Sequence, residues 1–270
     1  MLSTRIPGSK PPRTVRFSLP TPRLPAAIET LSILLVSDLH VRGRPHPSLT
    51  ALDELAGART DLLVAAGDLV DNERFISEVG ERLARIEARL GAFAVWGNHD
   101  ALGRPQGRAP RWLRDETRSL PKMEAALASH GIRTLTNRFV SLTVNGAPLQ
   151  LVGVGDTHVG LCDLDAAFNG VDPGIFTILA AHNPDTAFEL GRRRVDLTLS
   201  GHTHGGQIAF PYFGPLTLRI RNRLPRPCGL MYVRGRPLVV SAGVGTAGVP
   251  VRFNAPADIV GLRLIRVGSP

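Results

Sequence analysis

Five short fragments of this chain carry side chains of the kind that hold metal ions. They are Asp38-Leu39-His40, Gly67-Asp68, Gly97-Asn98-His99-Asp100, Ala181-His182-Asn183 and Gly201-His202-Thr203-His204. Asp, His and Asn offer carboxylate and amide oxygens and imidazole nitrogens, the donors of hard and borderline divalent cations. One ion cannot use so many ligands, so the set predicts a pair. In a strand, residues i and i+2 project to the same side. Asp38 with His40, and His202 with His204, are therefore expected to aim two ligands at one place if strand geometry continues past the sheet end. Gly67, Gly97 and Gly201 stand before ligand-type residues, where a sharp turn or a close approach to an ion needs a residue without a side chain.

The elements that must position these fragments are legible as apolar runs. Residues 33–36, 62–66, 93–96, 175–181 and 195–199 each read as a short buried strand ending at one of the fragments. Open α/β sheets bind ligands outside the carboxyl ends of their strands, where these residues fall. Between the strands, helical spacing predicts helices over 48–56 and 73–90, the latter with Phe75, Ile76, Val79, Leu83, Ile86 and Leu90 on one stripe and Gly91 as its stop. Pro121 opens a further helix to about 129, and shorter helical pieces are expected near 163–168 and 184–190. Strands are expected at 132–136, 139–144 and 149–154, with Asn145-Gly146 as a turn, and then near 206–210, 229–233, 238–241 and 258–266. The expected architecture is α/β: strands stacked as two sheets with helices outside. Residues 1–28, rich in Pro, Ser and Arg, read as a flexible basic segment, and 29–270 as one domain.

With 270 residues, 43% of them hydrophobic, the chain can bury a sizeable core. Its net charge of +9 favours anionic partners, whether phosphate esters or an acidic membrane surface. Nucleic acid is disfavoured, since no aromatic stacking platform or known binding module accompanies the charge. Cys162 and Cys228 lie far apart and suggest neither a disulfide framework nor a thiolate metal site. No apolar run approaches the roughly 18 residues that span a bilayer, and the basic leader lacks the apolar stretch of a signal peptide. A cytoplasmic protein is expected, with peripheral attachment to the inner membrane left open. Oligomeric state has no signature here.

Taken in order, D-x-H, G-D-x-x-D, G-N-H-D, A-H-N and G-H-T-H resemble the calcineurin-like metallophosphoesterases. The longer Ser200-Gly-His-Thr-His-Gly-Gly-Gln-Ile208 and the tail from Gly245-Thr246 to Pro250-Val-Arg-Phe253 resemble the branch of small bacterial enzymes acting on lipid-linked or membrane phosphodiesters. The resemblance runs from about Leu31 to the C-terminus. It implies a four-layer α-β-β-α sandwich of two mixed sheets and a dinuclear metal site at the strand ends. By motif, Asp38, His40, Asp68 and His204 would hold one ion, and Asp68, Asn98, His182 and His202 the other, with Asp68 shared. Mixed His, Asp and Asn ligands suit Mn, Fe or Zn better than Mg. His99 would be the catalytic histidine and Asp71 its orienting partner, with a helix cap as the alternative for Asp71; Asp100 reads as a structural acceptor. The implied reaction is hydrolysis of a phosphodiester or pyrophosphate. Water made acidic between the two ions would attack phosphorus, and His99 would protonate the leaving group. A phosphomonoesterase and a non-catalytic scaffold of the same fold are the alternatives.

Other residues invite weaker readings. Arg219, Arg221 and Arg223, near Phe210, Tyr212 and Phe213, read either as a basic and aromatic lip for anionic lipid or as a charged edge strand. The segment 103–118, with five arginines around Trp112, reads as a lid or as a solvated insertion. Arg252 is either structural or phosphate-facing. Asp156 and His158 read as satisfied loop residues.

Overall fold

The computed structural model describes residues 11–102, 119–211, 214–215, 220–222 and 224–268. In chain order the strands are β1 (Arg13–Thr21), β2 (Thr30–Val36), β3 (Arg59–Thr60), β4 (Leu62–Ala66), β5 (Glu87–Ala88), β6 (Ala92–Val95), β7 (Ile132–Thr134) and β8 (Arg138–Val144). They continue as β9 (Ala147–Val154), β10 (Phe176–Ala181), β11 (Leu197–Ser200), β12 (Ala209–Phe210), β13 (Gly214–Pro215), β14 (Gly229–Val233), β15 (Arg236–Val240) and β16 (Asp258–Arg266). The helices are α1 (Pro47–Asp53), α2 (Ile76–Leu83), α3 (Asn98–Leu102), α4 (Leu120–Ala128), α5 (Leu164–Phe168) and α6 (Thr186–Glu189).

Two six-stranded sheets carry the architecture. The first runs β1-β16-β2-β4-β6-β7 and the second β14-β15-β11-β10-β9-β8. In the first, β2, β4, β6 and β7 are mutually parallel and β16 is antiparallel to β2. In the second, β9, β10, β11 and β15 are parallel, with β8 and β14 antiparallel at the edges. Both sheets are therefore mixed. Their central strands read as continuous apolar runs because both faces are covered. Ile33, Leu35, Leu62, Val64 and Phe93 of the first sheet meet Leu149, Leu151, Ile178 and Leu199 of the second in one buried cluster. The outer face of the first sheet packs Leu63 and Ala65 against Leu52, Val79, Leu83 and Leu127 of the helices. The outer face of the second packs Val152, Leu179 and Ala181 against Ala167 and Leu190. These faces make an α-β-β-α sandwich.

Two expectations are corrected. Residues 13–21 are no flexible tail: β1 pairs in parallel with β16 from Arg13↔Asp258 to Thr21↔Arg266. Val15, Phe17, Leu19 and Thr21 alternate inward while their neighbours face out. The prolines and arginines hide that two-residue period in the sequence. Pro20 is tolerated because an edge strand leaves one side of its ladder unpaired. The long helix over 73–90 is also not observed. A single turn at Glu73–Phe75 leads into α2, which ends at Leu83. Glu87 and Arg89 then donate backbone N–H groups to Ala58 and Thr60, and this pairing returns the chain to begin β6. Residues 103–118, with their arginines and Trp112, lie outside the described residues, as do Tyr212, Phe213, Arg219 and Arg223.

Candidate metal centre

Strand β2 stops at Val36, and the chain then lies along the loop that follows β4. The Asp38 N–H donates to Gly67 O (3.0 Å) and the His40 N–H to Asp68 O (3.0 Å), while Gly245 donates to Asp38 O (2.7 Å). Strand alternation does not continue through Asp38 and His40, contrary to expectation. Instead Asp38, His40, Asp68, His202 and His204 all take left-handed backbone, with φ of 52°, 48°, 53°, 70° and 52°. That conformation costs a residue with a side chain about 1–2 kcal/mol, so the surrounding hydrogen bonds must hold it. Strain concentrated this way is typical of functional sites. The D-x-H and H-x-H pairs thus converge through left-handed turns rather than through the pleat. The glycines make room for this: a Cβ on Gly201 would lie 2.5 Å from Asp38 Oδ2, and one on Gly97 would collide with Asp68 Oδ1.

Three overlapping clusters result, each with its candidate ligand atoms within 4.8 Å of one another. Asp38, His40, Asp68 and His204 form one, Asp68, His182 and His202 a second, and His40, Asp71 and His99 a third. Asp68 belongs to the first two. Imidazole nitrogens face each other in both: His40 Nε2 lies 3.1 Å from His204 Nε2, and His202 Nδ1 lies 3.2 Å from His182 Nε2. The Asp68 Oδ2 atom stands 3.3 Å from His182 Nε2 and 3.5 Å from His40 Nε2. Asn98 contributes a buried amide oxygen with no hydrogen-bond partner.

This donor set fits divalent cations. Carboxylates, imidazoles and an orphaned carbonyl oxygen are gathered in a buried place with few groups to neutralise them. The outer atoms also hold the rings in suitable tautomers. His182 Nδ1 donates to Ala66 O (2.7 Å) and His40 Nδ1 to Asp71 Oδ1 (2.9 Å), which leaves each Nε2 lone pair facing inward in the neutral ring.

Without the charge of an ion, the site distributes protons unevenly. Burial would lower the His182 pKa, but the adjacent Asp68 carboxylate outweighs it and raises the ring well above its ordinary value. Burial likewise opposes ionisation of Asp68, and the nearby His182 and His99 hold it well below the usual carboxylate range. His204 is lowered well below its ordinary value by burial and by His40 and Arg252.

His99 stands at the edge of the first cluster, its ring 4.5 Å from that of His40 and at right angles to it. Its backbone N–H donates to Asp68 Oδ1 (2.8 Å) and its Nδ1 pairs with Asp71 Oδ1 (2.9 Å). Burial lowers the His99 pKa, yet the Asp68 and Asp71 charges turn the shift upward. Asp71 therefore serves two rings, His40 and His99, and Asn72 supplies the cap of the following turn. Asp100 accepts from the N–H groups of Leu69, Val70 and Gly97, and burial together with Asp68 raises its pKa to about 6.

The structure resolves the two readings of Arg252. Its Nε donates to Gly245 O, its Nη1 to His204 O and Ala255 O, and its Nη2 to the carbonyls of Ala242, Gly243 and Gly245. It is a brace for the His204 loop. Sequence reasoning also missed Asp185, which accepts from Arg221 N, Asn222 N and Asn222 Nδ2 and so ties that segment to the loop carrying His182. The carbonyl of Ala66 carries no sequence signal at all.

A profile of the calcineurin-like phosphoesterases matches residues 31–206. Among curated relatives, an uncharacterized metallophosphoesterase of Aquifex aeolicus (strain VF5) is 31% identical over 259 residues, covering 92% of this chain and 90% of that one. Phosphodiesterase YaeI of Escherichia coli (strain K12) is 30% identical over 238 residues, 86% of this chain and 82% of its own. A transmembrane protein with metallophosphoesterase domain from Bos taurus is 30% identical over 278 residues, covering 95% of this chain and 58% of that protein.

Proposed function

Since the chain belongs to the calcineurin-like phosphoesterase family, we propose that it is a dinuclear phosphodiesterase or pyrophosphatase acting on a lipid-linked substrate. One observation carries the reading: two clusters of metal-type ligands share Asp68 at the carboxyl ends of both sheets. Asp38, His40, Asp68 and His204 would hold one ion, and Asp68, Asn98, His182 and His202 the other. Mn, Fe and Zn are the metals that suit these donors. When bound, such ions supply positive charge to phosphoryl oxygens and lower the pKa of nearby water.

The chain's own residues do the rest. His99, whose pKa Asp68 and Asp71 raise, would offer its Nε2 proton to the departing oxygen. Asp71 fixes the ring through Nδ1, so the proton-bearing nitrogen points away from it. The Asp100 carboxylate holds the amides of Gly97, Leu69 and Val70 and thereby sets where Asp68 and His99 stand.

The lipid part of the proposal rests on an apolar rim. Phe210, Val249, Val251 and Phe253 are 48–55% exposed. The Phe210 and Phe253 rings lie 5.9 Å apart. Gln207, three residues after His204, ties the rim to the site by donating to Ala247 O (2.9 Å) and Val249 O (3.0 Å). Clustered exposed apolar side chains mark interaction sites, and a basic chain suits anionic headgroups. No helix among the described residues is long and apolar enough to cross a membrane. Contact would be peripheral, at the inner face of the cytoplasmic membrane.

Hydrolysis of bis-p-nitrophenyl phosphate against p-nitrophenyl phosphate, with added Mn²⁺, tests the reaction class. The diester is expected to be the better substrate, and Asp68→Ala to lose both bound metal and turnover. Preference for the monoester would make the protein a phosphomonoesterase. Stoichiometric metal with neither ester cleaved would leave a scaffold.

A further inference from the structure

His158 stands apart from the other histidines. Each of the other seven has a ring nitrogen within hydrogen-bond reach of another protein atom. Among the described residues, His158 has none for either ring nitrogen, and it lies outside the clusters of candidate metal ligands. Yet it is held beside the metal centre, its ring centroid 6.0 Å from that of His202.

The loop that holds it is heavily pinned. Asp156, fully buried, accepts from the backbone N–H of His158 (2.8 Å) and of Val159 (3.2 Å) through Oδ1. Leu161 N–H returns to Asp156 O (3.0 Å). Asn137 braces the loop from outside: its Oδ1 accepts from Gly155 N (3.1 Å) and Asp163 N (3.0 Å), and its Nδ2 donates to Leu161 O (2.7 Å). An unpaired ring on a mobile loop would mean little. Here the backbone is fixed, the exposed imidazole is presented to solvent beside the centre, and the buried Oδ2 of Asp156 beneath it also has no partner, so the ring is placed in advance where a ligand of the centre can reach it.

Position suggests the ligand. His99 lies against His40, at the first cluster, and His158 lies against His202, at the second. The two non-ligating rings thus attend different ends of the centre. We infer that His158 is a further substrate-contacting residue, whose ring N–H donates to an oxygen of the phosphodiester at the end away from His99, on the ester group that is retained. This inference rests on the proposed phosphoesterase reaction and adds to it the recognition of a doubly esterified phosphate.

The test compares wild type, His158→Ala and His158→Gln after loading with Mn²⁺. It reads metal content, melting temperature, kcat and KM on bis-p-nitrophenyl phosphate, and the affinity for dimethyl phosphate by calorimetry. A hydrogen bond to a charged group predicts a roughly 10- to 100-fold loss of kcat/KM in His158→Ala, mostly in KM. Dimethyl phosphate should weaken similarly, with metal content and melting unchanged, and His158→Gln should recover part of the loss through its amide donor. Unchanged KM and unchanged dimethyl phosphate affinity would overturn the inference, and so would loss of metal, which would make His158 a ligand. Wild-type protein that cleaves nothing, yet binds dimethyl phosphate more tightly than His158→Ala, would refute the reaction and keep the contact.

Discussion

Asp71 receives both His40 and His99 through one oxygen, so the proposed acid and a proposed ligand share a single anchor. Removing His99 itself should leave the clusters around Asp68 intact. His99→Ala is expected to lower turnover roughly 10²–10⁴-fold, the contribution of a general acid, with metal content unchanged by elemental analysis. Equal loss of metal and rate would refute that role. Asp71→Asn should instead reduce metal retention and rate together. The raised pKa values of His182 and His99 also predict how stability depends on pH. A ring whose folded pKa exceeds its unfolded value contributes fully below about pH 6.5 and loses that contribution as pH rises through the folded value. Metal-free protein is therefore expected to melt at progressively lower temperature as pH rises above about 6.5. Metal-loaded protein should show much less of this fall, because a bound cation keeps His182 neutral. Metal uptake in that window should release protons, measurable by calorimetry in buffers of different ionisation enthalpy. A flat profile for the metal-free protein would count against the Asp68–His182 pairing.

Individual strands position the site through their last residues, and this explains what could be read in the sequence. Strands β2, β4, β6, β10 and β11 were legible because their apolar runs end in Asp, His, Asn or Gly. The left-handed turns were not, since nothing in D-x-H or H-x-H separates an extended from a left-handed path; only the packing of Gly97 and Gly201 against Asp68 and Asp38 decides it. Helix spacing over 73–90 misled because Ile86 is buried just as a helical residue would be, although the chain has already turned. The roles of Arg252 and Asp185 depend on partners distant in sequence, which no local pattern encodes. Two predictions belong here. Gly97→Ala would force its methyl group against Asp68 and is expected to cost about 1–3 kcal/mol, with reduced metal stoichiometry; melting and elemental analysis read both. In β1, Leu19 is buried, so Leu19→Ala should cost about 2–5 kcal/mol in urea denaturation. An unchanged midpoint would mean that β1 does not belong to the sheet.

For the molecule as a whole, excess positive charge and the exposed rim at Phe210, Val249, Val251 and Phe253 act together. Sedimentation with vesicles of phosphatidylcholine and phosphatidylglycerol should carry the protein down in proportion to anionic lipid, and less so at high salt. Phe210→Ser with Phe253→Ser is expected to weaken that association roughly tenfold or more while hydrolysis of a soluble diester persists. Binding indifferent to both changes would remove the membrane from the proposal. The path of β16 has a separate consequence. It lies between β1 and β2, so both early strands wait for a neighbour that the ribosome delivers only once residues 258–266 are made. A nascent chain arrested before residue 258 should remain sensitive to protease and fail to retain manganese, whereas one arrested well past residue 266 should resist digestion. Hydrolytic competence would then switch on only after that last strand of the sheet has emerged, which spares the cell a half-made phosphoesterase.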